Sequence, residues 1–173
     1  MLGKIHLDAA SDEVAAERVQ ADEYITEEMD ALEVNWSVSE GHELHGQAVK
    51  VLCNAPFGQH GNKRTAEGSN SMQGLFLEKA IKEYQSGRVE SVLLHLRAGI
   101  GHMWFDHVFN WPHCFLKRHV RFINPNRPKN TMSSCHGSVF VLLTADKEVY
   151  TRFLEVFGRL GRIPGHNAYS HQD

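Results

Sequence analysis

Long apolar runs are absent from this 173-residue sequence. No stretch approaches the ~18 apolar residues that cross a bilayer. The first residues, MLGKIHLDAASDEV, contain no apolar core followed by a small-residue cleavage site. Cysteine is also scarce, and the three cysteines cannot all pair with one another. We therefore expect free thiols in a reducing intracellular compartment, cytoplasmic or nuclear, with no secretion and no membrane association.

A basic excess is missing too, because the net charge is −3, so composition alone does not indicate a nucleic-acid binder. The two signs are nevertheless separated along the chain. Residues 1–50 carry twelve acidic against three basic side chains, whereas residues 88–130 carry seven basic against two acidic. This asymmetry predicts one face that contacts a polyanion. The alternative is that both segments are solvated surface without a partner.

The length suits a single domain, residues 1–173, with a sizeable core. Apolar periodicity predicts alternating strands and helices. The predicted strands are 4–8, 23–26, 48–53, 89–96, 114–124 and 137–143, with an apolar alternation at 32–36. Four helices are predicted. Ser11 caps the first, which has Val14, Ala15 and Val19 on its apolar side, and the second runs from Met72 until Gly87 ends it. The third is short, at 101–111, and the fourth begins near Asp146.

This order of elements predicts an α/β sandwich, a mostly parallel central sheet with helices on both faces. In such sheets ligands bind beyond the carboxyl ends of the strands. Asp8, Asn54 and residues 97–101 all follow predicted strands. They are therefore the first candidates for a functional site.

The strand VKVLC ends at Asn54-Ala55-Pro56-Phe57-Gly58. A carboxamide at this position offers an accepting oxygen and a donating NH2 group, and the carbonyl of Ala55 lies beside it. Two oxygens that converge on one point can hold an amino group by both of its protons, while Pro56 stiffens the turn and Phe57 offers a flat face. The segment predicts a site for a planar ring with an exocyclic amine, such as adenine or cytosine. The alternative is a proline turn with Phe57 packed in the core.

Two further segments extend this candidate site. Asp8 ends the first strand beside Ala9 and Ala10, where a carboxylate can approach a bound cofactor. Alternatively, Asp8 is a surface acid that precedes a capped helix. Residues 58–71 are rich in Gly, Ser, Asn and charged side chains, which predicts a surface loop of a length that is often functional.

Several segments match one family in order and spacing. They are LDAAS, YITEEMDALEVNW, VLCNAPFG and FLEKAIKEY, followed by WFDHVF, VRFI and HGSVFVLL. Together they resemble the phage-type DNA N6-adenine methyltransferases, in which an Asn-Pro-Pro-Tyr or Asn-Pro-Pro-Phe motif follows a hydrophobic strand. The resemblance extends over nearly the whole chain.

The resemblance implies a Rossmann-like methyltransferase fold and S-adenosylmethionine as the methyl donor. Asp8, Ala9 and Ala10 would lie in the cofactor position after the first strand. Asp30 would approach the adenosine of the cofactor.

The same resemblance implies that DNA is the partner and that an adenine amino group is the target. Asn54 and the Ala55 carbonyl would hold that group, Pro56 would fix the turn, and Phe57 would stack on the base. The base would be flipped out of the duplex or presented in a single strand. Specificity would come from loops such as 58–71 and 124–136. The basic side chains expected to bind phosphates are Arg97, Lys117, Arg118, Arg121, Arg127 and Lys129.

Two departures from the family pattern keep alternatives open. Ala55 replaces the first proline of the motif, which leaves the turn less rigid. Family members also carry a segment with a Thr-Pro and a helix before the first strand, and only a few residues precede Ile5 here. A truncated chain or weak cofactor binding would follow. The alternatives to DNA methylation are a catalytically degenerate nucleic-acid-binding relative, and a methyltransferase that acts on RNA or on a small amine.

Twelve histidines raise the question of a metal site. The Cys/His pairs at 113–114 and 135–136 are adjacent in sequence and lack the gap of two to four residues that zinc sites use. We therefore expect no metal. His95 is predicted to be a core or edge residue, and Trp104 a packing residue rather than a base-stacking platform. No protein partner is inferred.

Overall fold

The computed structural model describes residues 1–124 and 127–165, and the side chains of residues 1–122 and 134–165. Strands and helices alternate along the first two thirds of the chain. In order, they are β1 (Leu7–Asp8), α1 (Glu13–Val19), β2 (Glu23–Tyr24), β3 (Val49–Asn54), α2 (Met72–Gln85), β4 (Val89–Arg97), a 3₁₀ helix (Met103–Asn110), β5 (His113–Leu116), β6 (Arg121–Asn124), β7 (Arg127–Ser133), β8 (Ser138–Thr144), α3 (Lys147–Leu160) and β9 (Gly161–Arg162).

Seven strands form one mixed sheet in the order β2-β1-β3-β4-β8-β5-β9, and β6 and β7 form a separate hairpin. The neighbours from β2 to β4 pair in parallel, whereas β8 is antiparallel to both β4 and β5, and β9 is antiparallel to β5. Strands β1 to β5 therefore all run in one direction. The chain is an α/β protein whose central sheet is mostly parallel, as the sequence predicts.

Apolar side chains cover both faces of the sheet. One face packs against α2 and the 3₁₀ helix through Val51, Phe76, Leu94 and Trp104. The other face packs against α3 through Leu93, Leu142, Val149 and Phe153. The predicted helix from Asp146 is confirmed, because the Asp146 carboxylate accepts hydrogen bonds from the first backbone N–H groups of α3. None of the helices in the described ranges has both the length and the apolar character needed to cross a bilayer.

The start of the chain differs from the prediction at two points. The cap of α1 is Asp12 and not Ser11, because the Asp12 carboxylate accepts from the Ala15 N–H at 2.8 Å. Ala16 is the buried residue of α1, and Val14, predicted on its apolar side, is 46% exposed. The apolar alternation at 32–36 is not a strand but a series of turns, in which the indole N–H of buried Trp36 donates to the Ala31 carbonyl at 2.9 Å.

The predicted strand 114–124 is also wrong as a single element. Its first part joins the main sheet as β5, and its last part pairs with β7 in the separate hairpin. The exposed residues Lys117, Arg118 and His119 separate the two parts. Charged side chains at this point cannot continue a strand into the buried sheet, so the chain leaves it there.

Trp104 packs inside the protein and is 1% exposed, which confirms that it is a packing residue. Two glycines make room for its indole. A Cβ atom on Gly74 would lie 2.8 Å from Trp104 Cγ, and one on Gly99 would lie 2.9 Å from Trp104 Cζ2. Both glycines are therefore required by close packing.

Candidate active site

The carboxyl ends of β1, β3 and β4 meet at one edge of the sheet. In the strand register Asp8 lies beside Leu52, and Asn54 lies beside His95. Leu52 faces the side of the sheet that α3 covers. Because side chains two apart share a face, Asp8, Asn54 and His95 all lie on that side. Sheet spacing puts the Cα atoms of Asp8 and Asn54 roughly 8 Å apart.

The Asn54 side chain is exposed although the strand that it ends is buried. It is held in one orientation by His95, whose Nδ1–H group donates to Asn54 Oδ1 at 2.7 Å. A carboxamide oxygen accepts two hydrogen bonds, so Oδ1 keeps the capacity to accept one more.

His95 is buried, with 5% of its surface exposed, and its ring stacks on Phe140 with the centroids 4.7 Å apart. Burial lowers the pKa of His95 to about 4, so the imidazole is neutral near pH 7. Its Nδ1 atom carries the proton of the hydrogen bond to Asn54. Its Nε2 atom is therefore an acceptor, and it is buried without a hydrogen-bond partner among the described residues. The prediction of a core or edge position is confirmed, but the contact with Asn54 is not visible in the sequence.

The carbonyl of Ala55 is held in a similar way. Gln73, a buried residue in the first turn of α2, donates from Nε2 to the Ala55 oxygen at 3.1 Å. Its Oε1 atom accepts from the backbone N–H of Arg97 at 2.8 Å. One side chain therefore ties the ends of β3 and β4 together. The Ala55 oxygen keeps a second lone pair, although Ala55 itself is 1% exposed. Sequence reasoning missed Gln73, although a glutamine among the buried positions of a helix is a signal.

Phe57 is 47% exposed and is not packed in the core. Its ring meets Phe122 of β6 edge-on, with the centroids 6.3 Å apart. Pro56 is half-buried, and Gly58 turns the chain away with a φ of +110° that side chains rarely adopt. An aromatic face is therefore available beside Asn54.

Asp8 is 3% exposed. Its carboxylate accepts from the Ala10 N–H at 3.4 Å, and among the described side chains no basic group pairs with it. Burial raises the pKa of Asp8 to about 6, although hydrogen bonds from Ser11 and Ala10 act in the opposite direction. Ala9 is buried in the core, and Ala10 is partly buried. A cationic ligand would relieve the cost of this buried carboxylate.

Asp30, the other residue implied at the cofactor, already has two partners. Its Oδ2 atom contacts Lys63 Nζ at 3.0 Å, and its Oδ1 atom accepts from the Leu32 N–H at 3.1 Å. Burial acts to raise the pKa of Asp30, but these two interactions outweigh it, so the pKa is lowered. Asp30 therefore fits an adenosine hydroxyl less well than an unpaired carboxylate would. Its φ of +51° is strained for a residue other than glycine.

The loop 58–71 turns back on itself between Phe57 and α2. Gln59 and Ser71 form an isolated antiparallel bridge, and the His60 N–H donates to the Asn70 carbonyl. Lys63 joins the loop to Glu33 as well as to Asp30. The loop is thus connected to the segment that carries Asp30.

A cavity of about 480 Å³ opens beside Phe57. Arg97 lines it, together with Gln73, His102 and His136. Of the other basic residues predicted to contact DNA, Lys117, Arg118 and Arg121 are exposed. The side chains of Arg127 and Lys129 lie outside the described ones.

Comparison with protein-family models, with curated proteins and with solved structures found no match for this chain. Within the described ranges no group of three or more His, Cys, Asp or Glu residues is arranged to hold a metal ion. Cys53 and Cys114 are buried free thiols, and Cys135 is an exposed one.

Proposed function

We propose that this protein transfers a methyl group from S-adenosylmethionine to the N6 amino group of adenine in DNA. The base is taken from a single strand or flipped out of a duplex, because an amino group within a stacked pair cannot reach the sheet edge. The α/β order, with Asp8 and Asn54 on adjacent parallel strands, supports a Rossmann-like fold for this chemistry.

The observation that carries the proposal is the pair of fixed oxygens beside an exposed aromatic ring. Buried His95 holds Asn54 Oδ1, and buried Gln73 holds the Ala55 oxygen. Each oxygen retains one lone pair, and we propose that together they accept both protons of an exocyclic amine. Phe57 supplies the face on which the purine stacks. Oxygens held in place before the substrate arrives need no reorganisation during the reaction.

Asp8 is the residue that best suits the cofactor. S-adenosylmethionine supplies the methyl group as a sulfonium cation and also carries an ammonium group. A buried carboxylate whose described surroundings provide no basic partner is complementary to such a cation.

The rival function is nucleic-acid binding without catalysis. One observation favours it: the charge of Asp30 is already neutralised by Lys63, which weakens its expected role at the cofactor. The basic cavity beside Phe57 fits either function. Cofactor binding separates the two.

The test measures calorimetric binding of S-adenosylmethionine and transfer of its labelled methyl group to adenine-containing oligonucleotides, followed by nucleoside analysis. We expect N6-methyladenine, and we expect Asn54→Ala to lower the rate by about 100-fold. Asn110→Ala, which removes another exposed carboxamide, is the matched control and should leave the rate unchanged. Absence of both cofactor binding and methyl transfer would overturn the proposal. Methylated RNA or a methylated small amine as the only product would overturn its DNA part.

A further inference from the structure

The cavity beside Phe57 carries the positive charge of Arg97 and has no compensating acid among its described lining residues. Arg97, His102 and His136 line it, together with the hydroxyl and amide side chains of loop 58–71 and α2. No carboxylate occurs among its described lining residues. The second cavity, of about 400 Å³, differs because Glu33, Glu78 and Glu83 line it together with lysines and arginines. Of these two cavities, the one beside Phe57 has a positive side chain that no acid compensates among its described lining residues.

Hydrogen bonds hold Arg97 and the backbone of His136 beside this cavity. The backbone of Arg97 is tied to Gln73, and its guanidinium donates to His102 Nε2 at 3.3 Å. The backbone of His136 is fixed by Ser134, whose hydroxyl donates to its carbonyl. No carboxylate pairs with Arg97 among the described side chains, so its charge stays available for an incoming anion.

The adjacent surface extends the positive charge. The Nδ1–H group of His119 donates to the His136 carbonyl at 3.1 Å, which places the segment around His119 against the cavity wall. Lys117, Arg118 and Arg121 lie in that segment and are exposed. A polyanion that entered the cavity would meet further cations along its path.

We propose that this cavity binds the backbone phosphate next to the target nucleotide, with Arg97 as the main ligand and His102 and His136 as additional donors. This inference rests on the proposed function, because Phe57 is both the wall of the cavity and the stacking face for the base. A base on Phe57 and its phosphate at Arg97 fill one continuous space. The volume of about 480 Å³ lies within the range of pockets that hold small ligands. His102 and His136 thereby gain a role that the sequence did not assign to them.

The experiment measures fluorescence anisotropy of a labelled single-stranded, adenine-containing oligonucleotide with the full chain. We expect Arg97→Ala to weaken binding by about tenfold and to reduce the slope of log affinity against log salt by about 0.7. Arg18→Ala removes an exposed arginine that lines neither cavity and should leave both quantities unchanged. Arg97→Lys keeps the positive charge but loses the two parallel N–H donors of the guanidinium, so this variant should bind the oligonucleotide with intermediate affinity.

Competition on the unmodified protein supplies a second measurement that does not depend on any variant. Adenosine 5′-monophosphate should displace the oligonucleotide at lower concentration than adenosine does, and inorganic phosphate should compete weakly. Equal competition by the nucleoside and the nucleotide, or an Arg97→Ala protein with unchanged affinity and salt slope, would overturn the phosphate site. If Arg97-dependent binding occurs without methyl transfer, the phosphate site is supported and the proposed catalysis fails. If the protein binds the free nucleotide but not the oligonucleotide, the proposal that the phosphate belongs to a nucleic acid is overturned.

Discussion

Replacement of His95 by phenylalanine separates a positioning role from a purely structural one. Phenylalanine keeps a ring that can stack on Phe140 but removes the Nδ1–H donor that holds Asn54 Oδ1. Asparagine is the matched variant, because its Nδ2 atom takes the place of Nδ1 and can still donate to Asn54. If His95 positions Asn54, the phenylalanine variant loses activity and the asparagine variant recovers part of it.

The expected change in stability has the opposite sign to the change in activity. The His95–Asn54 hydrogen bond is worth about 0.5–1.5 kcal/mol, and the unpartnered buried Nε2 atom costs about 1–3 kcal/mol. Asn54 is exposed, so water can replace the lost bond. His95→Phe should therefore keep or raise the free energy of unfolding. A misplaced Asn54 oxygen should lower kcat by about 10–100-fold, with a smaller effect on KM.

The pH dependence gives an independent readout. The pKa of His95 falls from 6.5 to about 4 in the folded protein, so the unfolded chain binds the proton more readily. His95 therefore contributes a loss of stability of about 3 kcal/mol in total as pH falls from about 6.5 to 4, and the raised pKa of Asp8 opposes this loss in the same pH range. His95→Phe should abolish that loss in urea titrations at a series of pH values. An inactive asparagine variant, or a phenylalanine variant with full kcat, would refute the positioning role.

Three further predictions concern other sites. Burial raises the pKa of Asp8 from 3.8 to about 6, so the contribution of this group to stability should fall by up to about 3 kcal/mol as pH rises from about 4 to 6. Asp8→Asn should remove that pH-dependent contribution in urea unfolding and should abolish calorimetric binding of S-adenosylmethionine. Retained binding would contradict the assignment of Asp8 to the cofactor. Gly74→Ala should lower the free energy of unfolding by about 1–3 kcal/mol, because the new Cβ atom would lie 2.8 Å from Trp104 Cγ. The better helix propensity of alanine does not offset this clash. An unchanged Tm would contradict this packing. Phe57→Ala should change the free energy of unfolding by less than about 0.5 kcal/mol, because the ring is 47% exposed. It should weaken oligonucleotide binding by about 1–3 kcal/mol. A large loss of stability with unchanged binding would show that Phe57 supports the fold and not the site.

The central strands could be predicted because their sequences are continuously apolar. Strand β4 is predicted as 89–96 and observed as Val89–Arg97, and β8 is predicted as 137–143 and observed as Ser138–Thr144. Periodicity reports burial but not pairing partners. It therefore does not reveal that β8 lies antiparallel between β4 and β5. It also fails at 32–36, where apolar residues anchor turns instead of forming a strand.

The candidate site could be predicted only in its strand ends. Asn54 and Phe57 are exposed at a strand terminus, as the pattern of a polar and an aromatic residue after a core strand indicates. Their supports are distant in sequence, since His95 lies 41 residues from Asn54 and Gln73 lies 18 residues from Ala55. Strand register and helix packing set these contacts, and neither can be read from one sequence. The Asp30–Lys63 pair was missed for the same reason.

The energetics of the sheet edge favour function over stability as the reason for its residues. Leu94 and Leu96 flank His95 and are fully buried, so an apolar side chain at 95 would cost less than an imidazole whose Nε2 lacks a described partner. Asp8 repeats this pattern two strands away, as a buried carboxylate without a described basic partner. Buried polar groups that destabilise the fold in this way are concentrated at functional sites. Both occur on one face, next to Asn54, at the edge where parallel sheets bind ligands. This coincidence favours our proposal of a site between β1 and β4.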